Sequence, residues 1–238
     1  MSLDLAKLFA ALVSILGPAS ADMPKDLQLK KGDQIVAIGD SITQAGGYLR
    51  DVDAVLAAQY PDLKLPKIIN VGISGQKAED LVTRFDRDVV QKKPQWVTLS
   101  IGINDVWHRL GKPHDPKVLE TYTANVSKMV DMAQAANIKV ILLAPTVIQE
   151  DASAEGNKRL AAYVAAEKQI AADKKCQFVD LHQMFVDVLA KKPADVKGNW
   201  LTGDGVHMKP MGDALMSLGI LRAVGVPDAK LTTESGKK

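Results

Sequence analysis

The stretch Gln34-Ile35-Val36-Ala37-Ile38-Gly39-Asp40-Ser41-Ile42-Thr43 decides the fold. Ile35 to Ile38 is an unbroken apolar run rich in β-branched residues, the pattern of a buried strand in a parallel sheet. Gly39 allows a sharp exit from that strand. Downstream, Tyr48 to Tyr60 carries apolar residues at helical spacing. Ser41 therefore stands where a strand turns toward a helix, at the carboxyl end of the first sheet strand. Open α/β sheets gather ligands at that edge. A helix N-terminus close by would offer backbone N–H groups to a developing anion. Asp40 and Ser41 are also ordinary turn formers, so the meaning of the pentapeptide Gly39 to Thr43 depends on the rest of the chain.

Four further strand patterns follow. They are Lys67 to Val71, Gln95 to Ile101, Ile138 to Leu143 and the short Gln177 to Val179. Helical patterns alternate with them. Ala78 to Lys92 has Leu81, Val82, Phe85 and Val89 on one face. Asp115-Pro116 reads as an N-cap followed by proline at the first helical position, opening a helix that runs to about Ala136. Asn157 to Lys174, Leu181 to Leu189 and Met211 to Val224 complete the set, Lys191 to Gly203 reads as loop, and the tail from Thr232 to Lys238 reads as frayed. Strands alternating with helices predict a three-layer α/β/α sandwich on a five-stranded, parallel, doubly wound sheet. Residues 22–238 form one domain, without repeat or linker.

Composition excludes several classes. Over 238 residues, 24% are charged and 47% apolar, ordinary for a globular protein, and a net charge of +2 favours neither nucleic acid nor an anionic membrane as partner. No apolar stretch reaches the roughly 18 residues of a membrane span, so no stable membrane association is expected. The single cysteine, Cys176, excludes an intramolecular disulfide and a cysteine metal cluster, and it reads as a small buried hydrophobe. No His/Cys/Asp grouping has zinc-ligand spacing, so neither metal nor cofactor is expected. At the N-terminus, Lys7 precedes the apolar run Leu8 to Leu16, Gly17-Pro18 breaks it, and Ala19-Ser20-Ala21 has the small-x-small pattern. Residues 1–21 thus read as a secretory signal peptide cleaved after Ala21, for a periplasmic or secreted protein. The competing reading is a retained surface helix, which would fit a cytoplasmic one.

The first three strands each end in a small polar cluster: Ser41, then Ser74-Gly75, then Asn104-Asp105. In a parallel sheet these ends share one edge. A fourth cluster, Asp204-Gly205-Val206-His207, precedes the last helix. An aspartate three residues before a histidine on a tight turn can reach the ring Nδ1–H and leave Nε2 free as a base, the division of roles in a hydrolase triad. His207 is the one histidine with such a built-in partner, whereas His114 and His182 read as surface or helix-cap residues. Taken singly, each cluster fits a turn or an exposed loop pair. Their joint occurrence at successive strand ends points to a site.

The sequence resembles the SGNH, or GDSL, hydrolase family. Gly39-Asp40-Ser41-Ile42 resembles the block that holds the nucleophile, and Asn70 to Gly75 resembles the second block, whose closing glycine supplies an oxyanion-hole N–H. Gly102-Ile103-Asn104-Asp105 resembles the third block, whose Asn side chain also faces the oxyanion, and Asp204 to His207 resembles the Asp-x-x-His block. The match spans nearly all of residues 33 to 225. Met208 departs from the proline that many members carry after the histidine, which puts the local backbone in question. The resemblance implies a flavodoxin-like sandwich and ester hydrolysis. Ser41 would be the nucleophile, with Asp204 and His207 completing the triad, and Ser41, Gly75 and Asn104 would form the oxyanion hole. Asp40 and Asp105 would hold their loops. Trp107 and Trp200 are candidates to wall the acyl or sugar pocket, or ordinary packing residues. With no lid inserted, apart from the longer connection Ala144 to Gly156, the expected substrate is a short-chain, acetyl-type ester, small or carbohydrate-borne. A lysophospholipase or arylesterase is the alternative within the enzyme class, and a catalytically silent carbohydrate-binding domain the alternative outside it.

Overall fold

In the computed structural model, which describes residues 3–113 and 115–232, the run that opened the reading is β1 (Ile35–Gly39), buried at every position. In chain order the elements are α1 (Leu3–Leu16), β1, α2 (Ser41–Ala45), α3 (Gly47–Gln59), β2 (Ile69–Asn70), α4 (Ala78–Asp88), β3 (Trp96–Ser100), α5 (Ile103–Trp107), α6 (Pro116–Ala135), β4 (Lys139–Leu143), α7 (Glu155–Lys174), β5 (Gln177–Val179), α8 (Leu181–Leu189), α9 (Pro210–Ala223) and α10 (Asp228–Leu231). The strands lie in the order β2-β1-β3-β4-β5, all parallel. That is the flavodoxin-like order, and it puts the carboxyl ends of β1 and β3, adjacent strands, side by side. Helices α1, α3, α8 and α9 pack together on one face, and α4, α6 and α7 on the other. Because both faces are covered, β1 and β3 are buried along their whole length, Thr98 and Ser100 included, and each buried Val, Ile or Leu there is worth about 1.5–3 kcal/mol.

Several boundaries depart from the expected pattern for local reasons. The helix expected from Tyr48 is preceded by a separate helical turn, α2, and Gly46 in the left-handed region divides the two. The second strand shrinks from Lys67–Val71 to two residues. It is an edge strand with β1 as its one neighbour, yet hydrogen bonds from Val71 N to Ala37 O and from Ile73 N to Gly39 O carry the pairing onward. The helix expected to reach Lys92 stops at Asp88 and tightens into a 3₁₀ turn, Val90–Lys92. Asp115 does cap α6, its carboxylate accepting from Lys117 N at 3.0 Å, with Pro116 opening the helix. The tail beyond Thr232 and the reading of His114 lie outside the described residues.

At the N-terminus, α1 lays Leu5, Ala6, Phe9 and Leu12 against α8 and α9, and all four are buried. Arg222 donates to Gly17 O at 2.7 Å and pairs with Asp228, which ties the end of that segment to the last helices. No helix among the described residues is long and apolar enough to cross a membrane.

Candidate active site

The site begins with the sharp exit from β1. Asp40 is the N-cap of α2, and its Oδ1 accepts the Ile42 N–H at 3.0 Å, so Ser41 becomes the first residue of a helical turn. The turn is tight enough that a Cβ on Gly39 would lie 2.2 Å from Thr43 Oγ1 and 2.6 Å from Ser100 O. Only glycine allows that approach. Asp40 is buried, and burial pushes its carboxyl up to about 6, against the opposing pull of the Ile42 N–H and the His207 charge.

His207 arrives on a loop that is bound at several points. Glu150 accepts from Trp200 N at 2.6 Å, Leu201 N at 2.7 Å, Thr202 N at 2.6 Å and Thr202 Oγ1 at 2.8 Å. Gly203 N donates to His207 O, Lys209 N to Leu201 O, and Gln149 N to Gly205 O. Met208, the departure from the family pattern, forms an antiparallel bridge with Thr202, and Pro210 then opens α9. The connection Ala144 to Gly156, which could have folded over the site, instead supports this loop through Gln149 and Glu150. Asn157 holds the connection from below, accepting from Ile148 N and donating to Asp151 O.

The result is a linked row of three side chains. His207 Nε2 lies 2.9 Å from Ser41 Oγ, and His207 Nδ1 lies 2.7 Å from Asp204 Oδ2. The other oxygen of Asp204 accepts from Val206 N at 3.0 Å and His207 N at 2.8 Å. Burial presses the Asp204 carboxyl upward, but these bonds and the imidazole outweigh it and hold the group down at about 2. An ionised carboxylate accepts only, so Nδ1 carries the ring proton and Nε2 accepts from the Ser41 hydroxyl.

Three donors were expected from the sequence to serve an oxyanion: the Ser41 and Gly75 N–H groups and the Asn104 amide. Among the described residues the backbone N–H groups of Ser41 and Gly75 find no acceptor. Gly75 has φ of 78°, a left-handed turn that suits glycine. Asn104 is buried on α5 and gives one Nδ2 hydrogen to Gln76 O at 3.0 Å, which fixes the amide plane and leaves its second hydrogen over. Asp105 accepts weakly from Ala78 N, at 3.3 and 3.4 Å, and joins the Asn104 loop to the start of α4. Burial pushes its carboxyl up to about 7.

Of the two candidate pocket tryptophans, Trp107 is 37% exposed and stands edge-on to His207, with ring centroids 6.3 Å apart. Trp200 is half-buried and packs against the hydrophobic core instead. His182 lies in the first turn of α8 with Nδ1 on Thr146 O. Cys176 is half-buried, and burial pushes its thiol up to about 11. Among the described residues no group of three His, Cys, Asp or Glu side chains is placed to hold a metal ion. Glu150, Gln76 and the helical form of the Asn104 segment were not foreseen. A lone Glu in a connection carries no motif, and five residues are too few for helical periodicity.

Residues 37–215 match the model of the GDSL-like lipase/acylhydrolase family. The chain belongs to that family. It is a carboxylic ester hydrolase with the SGNH-type α/β fold. An acetylxylan esterase from Geobacillus stearothermophilus is 31% identical over 218 residues, 84% of this chain and 97% of that one. Its crystal structure superposes with a TM-score of 0.74 over 84% of this chain and 97% of that chain. An alpha/beta hydrolase enzyme from the metagenome of Lake Arreo, Spain, is 28% identical, with a TM-score of 0.75 over 84% of this chain and 98% of that chain. The mouse isoamyl acetate-hydrolyzing esterase 1 homolog is 25% identical over 79% of each chain.

Proposed function

We propose that the chain is a serine esterase that removes acetyl-type groups from carbohydrates. The observation that carries this reading is the row Ser41–His207–Asp204, 2.9 and 2.7 Å between partners. In the reaction the Ser41 hydroxyl adds to the acyl carbonyl while His207 Nε2 takes its proton. Asp204 holds the ring and stabilises the imidazolium. The oxyanion is met by the N–H groups of Ser41 and Gly75 and by the Asn104 amide, one such donor being worth about 3–4 kcal/mol in the barrier. The imidazolium then returns the proton to the departing alcohol oxygen, leaving Ser41 acylated. Water, deprotonated by the same Nε2, adds to the acyl carbon and releases the carboxylic acid and free Ser41.

The substrate class rests on the acetylxylan esterase relative and on the exposed ring of Trp107 beside His207. Catalytic mutants of that relative replace a serine, an aspartate or a histidine with alanine, the last two standing three positions apart as Asp204 and His207 do. Trp107, edge-on to His207 and exposed, offers a flat apolar face on which a sugar ring can lie. The test is acetate release from acetylated xylo-oligosaccharides by the purified protein. Steady release from the oligosaccharides is the expected result, and turnover of long-chain lysophospholipid without deacetylation of the oligosaccharides would overturn it.

A further inference from the structure

Beneath the strand ends sits one buried cation. Arg84, on α4, is 6% exposed, and its guanidinium reaches the exit of β1 and, at two points, the connection from β2 to α4. Nη2 donates to Gly39 O at 3.3 Å, the residue before the Asp40 cap. Nη1 donates to Val71 O at 2.8 Å, in the turn that leads to Gly75. Nε donates to the Gln76 side chain at 2.6 Å. The backbone carbonyl of that same Gln76 accepts from Asn104 Nδ2. A single planar fork thus joins the exits of β1 and β2 and, through Gln76, the amide on α5. Its charge is balanced by Asp88, 2.8 Å from Nη1. The hydrogen bond from Arg87, and after it that from Arg84, holds Asp88 ionised, its carboxyl down at about 2.

We propose that Arg84 is a positioning residue for ester hydrolysis: it sets the Ser41 turn and the Gly75 and Asn104 donors at one mutual spacing. The inference rests on the oxyanion-hole reading above. Arg84 touches neither Ser41 nor the place a substrate would occupy, so its effect passes through Gln76, Val71 and Gly39. The carbonyls of Gly39 and Val71 belong to different strand exits, and a rigid five-donor fork fixes their relative placement in a way a flexible ammonium does not. Transition-state stabilisation depends steeply on such spacing. Displacing a donor by about 1 Å costs on the order of 100-fold in rate.

The test is a double-mutant cycle on p-nitrophenyl acetate, with Arg84→Lys, Asn104→Ala and the pair, each variant first shown to unfold cooperatively. Arg84→Lys is expected to lower kcat by about 10–100-fold and to leave KM within about threefold, the signature of an interaction felt only in the transition state. In the Asn104→Ala background the same substitution is expected to cost several-fold less than in wild type, since one of the donors it positions is gone. A folded Arg84→Lys enzyme with wild-type kcat overturns the proposal, as does a loss of equal size in both backgrounds. Should Arg84→Lys fail to fold, Gln76→Met removes the Nε acceptor and keeps the backbone carbonyl. It is expected to lower kcat by about 3–10-fold, again non-additively with Asn104→Ala, and unchanged kcat overturns the proposal. If Asn104→Ala alone retains wild-type kcat, the oxyanion-hole reading itself falls and takes the inference with it.

Discussion

Replacing Glu150 with alanine should loosen the loop that carries Asp204 and His207. The carboxylate takes four hydrogen bonds, three from consecutive backbone N–H groups and one from the Thr202 hydroxyl. Leu201 and Thr202 have no exposed surface, so their N–H groups would be left in a site closed to water. A hydrogen bond to a charged group is worth about 1.5–3 kcal/mol, and a stranded buried donor costs about 1–3 kcal/mol. These terms overlap, and Trp200 N is nearer to solvent, so the expected loss is about 3–5 kcal/mol rather than their sum. For a chain of this size that lowers the melting temperature by roughly 8–15 °C. Glu150→Gln is the graded control. Oε1 serves Leu201 N, Thr202 N and Thr202 Oγ1, and an amide oxygen there can still accept from all three, while the amide nitrogen would confront Trp200 N. Its expected cost is about 1–2 kcal/mol. Urea unfolding followed by circular dichroism gives the stabilities, and kcat on p-nitrophenyl acetate should fall in the same order. A Glu150→Ala protein within about 0.5 kcal/mol of wild type, with full kcat, would show that the loop is held by something other than this carboxylate.

Asp105, with its carboxyl raised to about 7 by burial, binds its proton more tightly folded than unfolded. The stability it contributes is therefore complete below about pH 4 and is lost as pH rises toward 7, an effect on the order of 4 kcal/mol across the window. Wild type should lose stability between about pH 4 and 7 that Asp105→Asn does not lose, because Asp40 and Asp51, each raised to about 6 by burial, titrate equally in both, and a pH-independent difference between the two proteins would refute the assignment. Acyl-chain preference should peak at acetyl and fall steeply by octanoyl, since an open site cannot collect the roughly 0.8 kcal/mol of each buried methylene. A kcat/KM that rises steadily from the C2 to the C8 p-nitrophenyl ester would point to a hydrophobic groove and a lipase-like enzyme.

The sheet was legible because its central strands are short runs rich in apolar and β-branched residues, a pattern that survives without tertiary context. Edge strand β2 was overextended, since its outer residues have no second neighbour to hold them in line. Helices α2 and α5 were missed because one turn leaves no period to read. That Ser41 and Asn104 leave the sheet at one edge followed from strand order, since β1 and β3 are adjacent, whereas the Asp204–His207 loop follows no strand and was joined to Ser41 only by its Asp-x-x-His spacing. What supports those residues was not legible. Glu150 lies 50 residues before Trp200 and Arg84 lies 45 after Gly39, and most of the partners that make them supports, N–H groups for Glu150 and carbonyls for Arg84, are backbone atoms that leave no mark in the side-chain pattern. Trp107 and Trp200 could not be told apart, because each flanks a site loop, and only packing separates an exposed ring beside His207 from one turned toward the core.

Ser41 is the residue acylated in the proposed reaction, and the most direct measurement is kcat/KM of Ser41→Ala on p-nitrophenyl acetate, with cooperative unfolding shown for the variant. The geometry predicts a fall of roughly 10⁴-fold or more, the residual rate coming from binding and the oxyanion donors. A folded Ser41→Ala enzyme within about tenfold of wild type would mean that the serine at the end of β1 is not the nucleophile, and the mechanism drawn through His207 and Asp204 would be wrong.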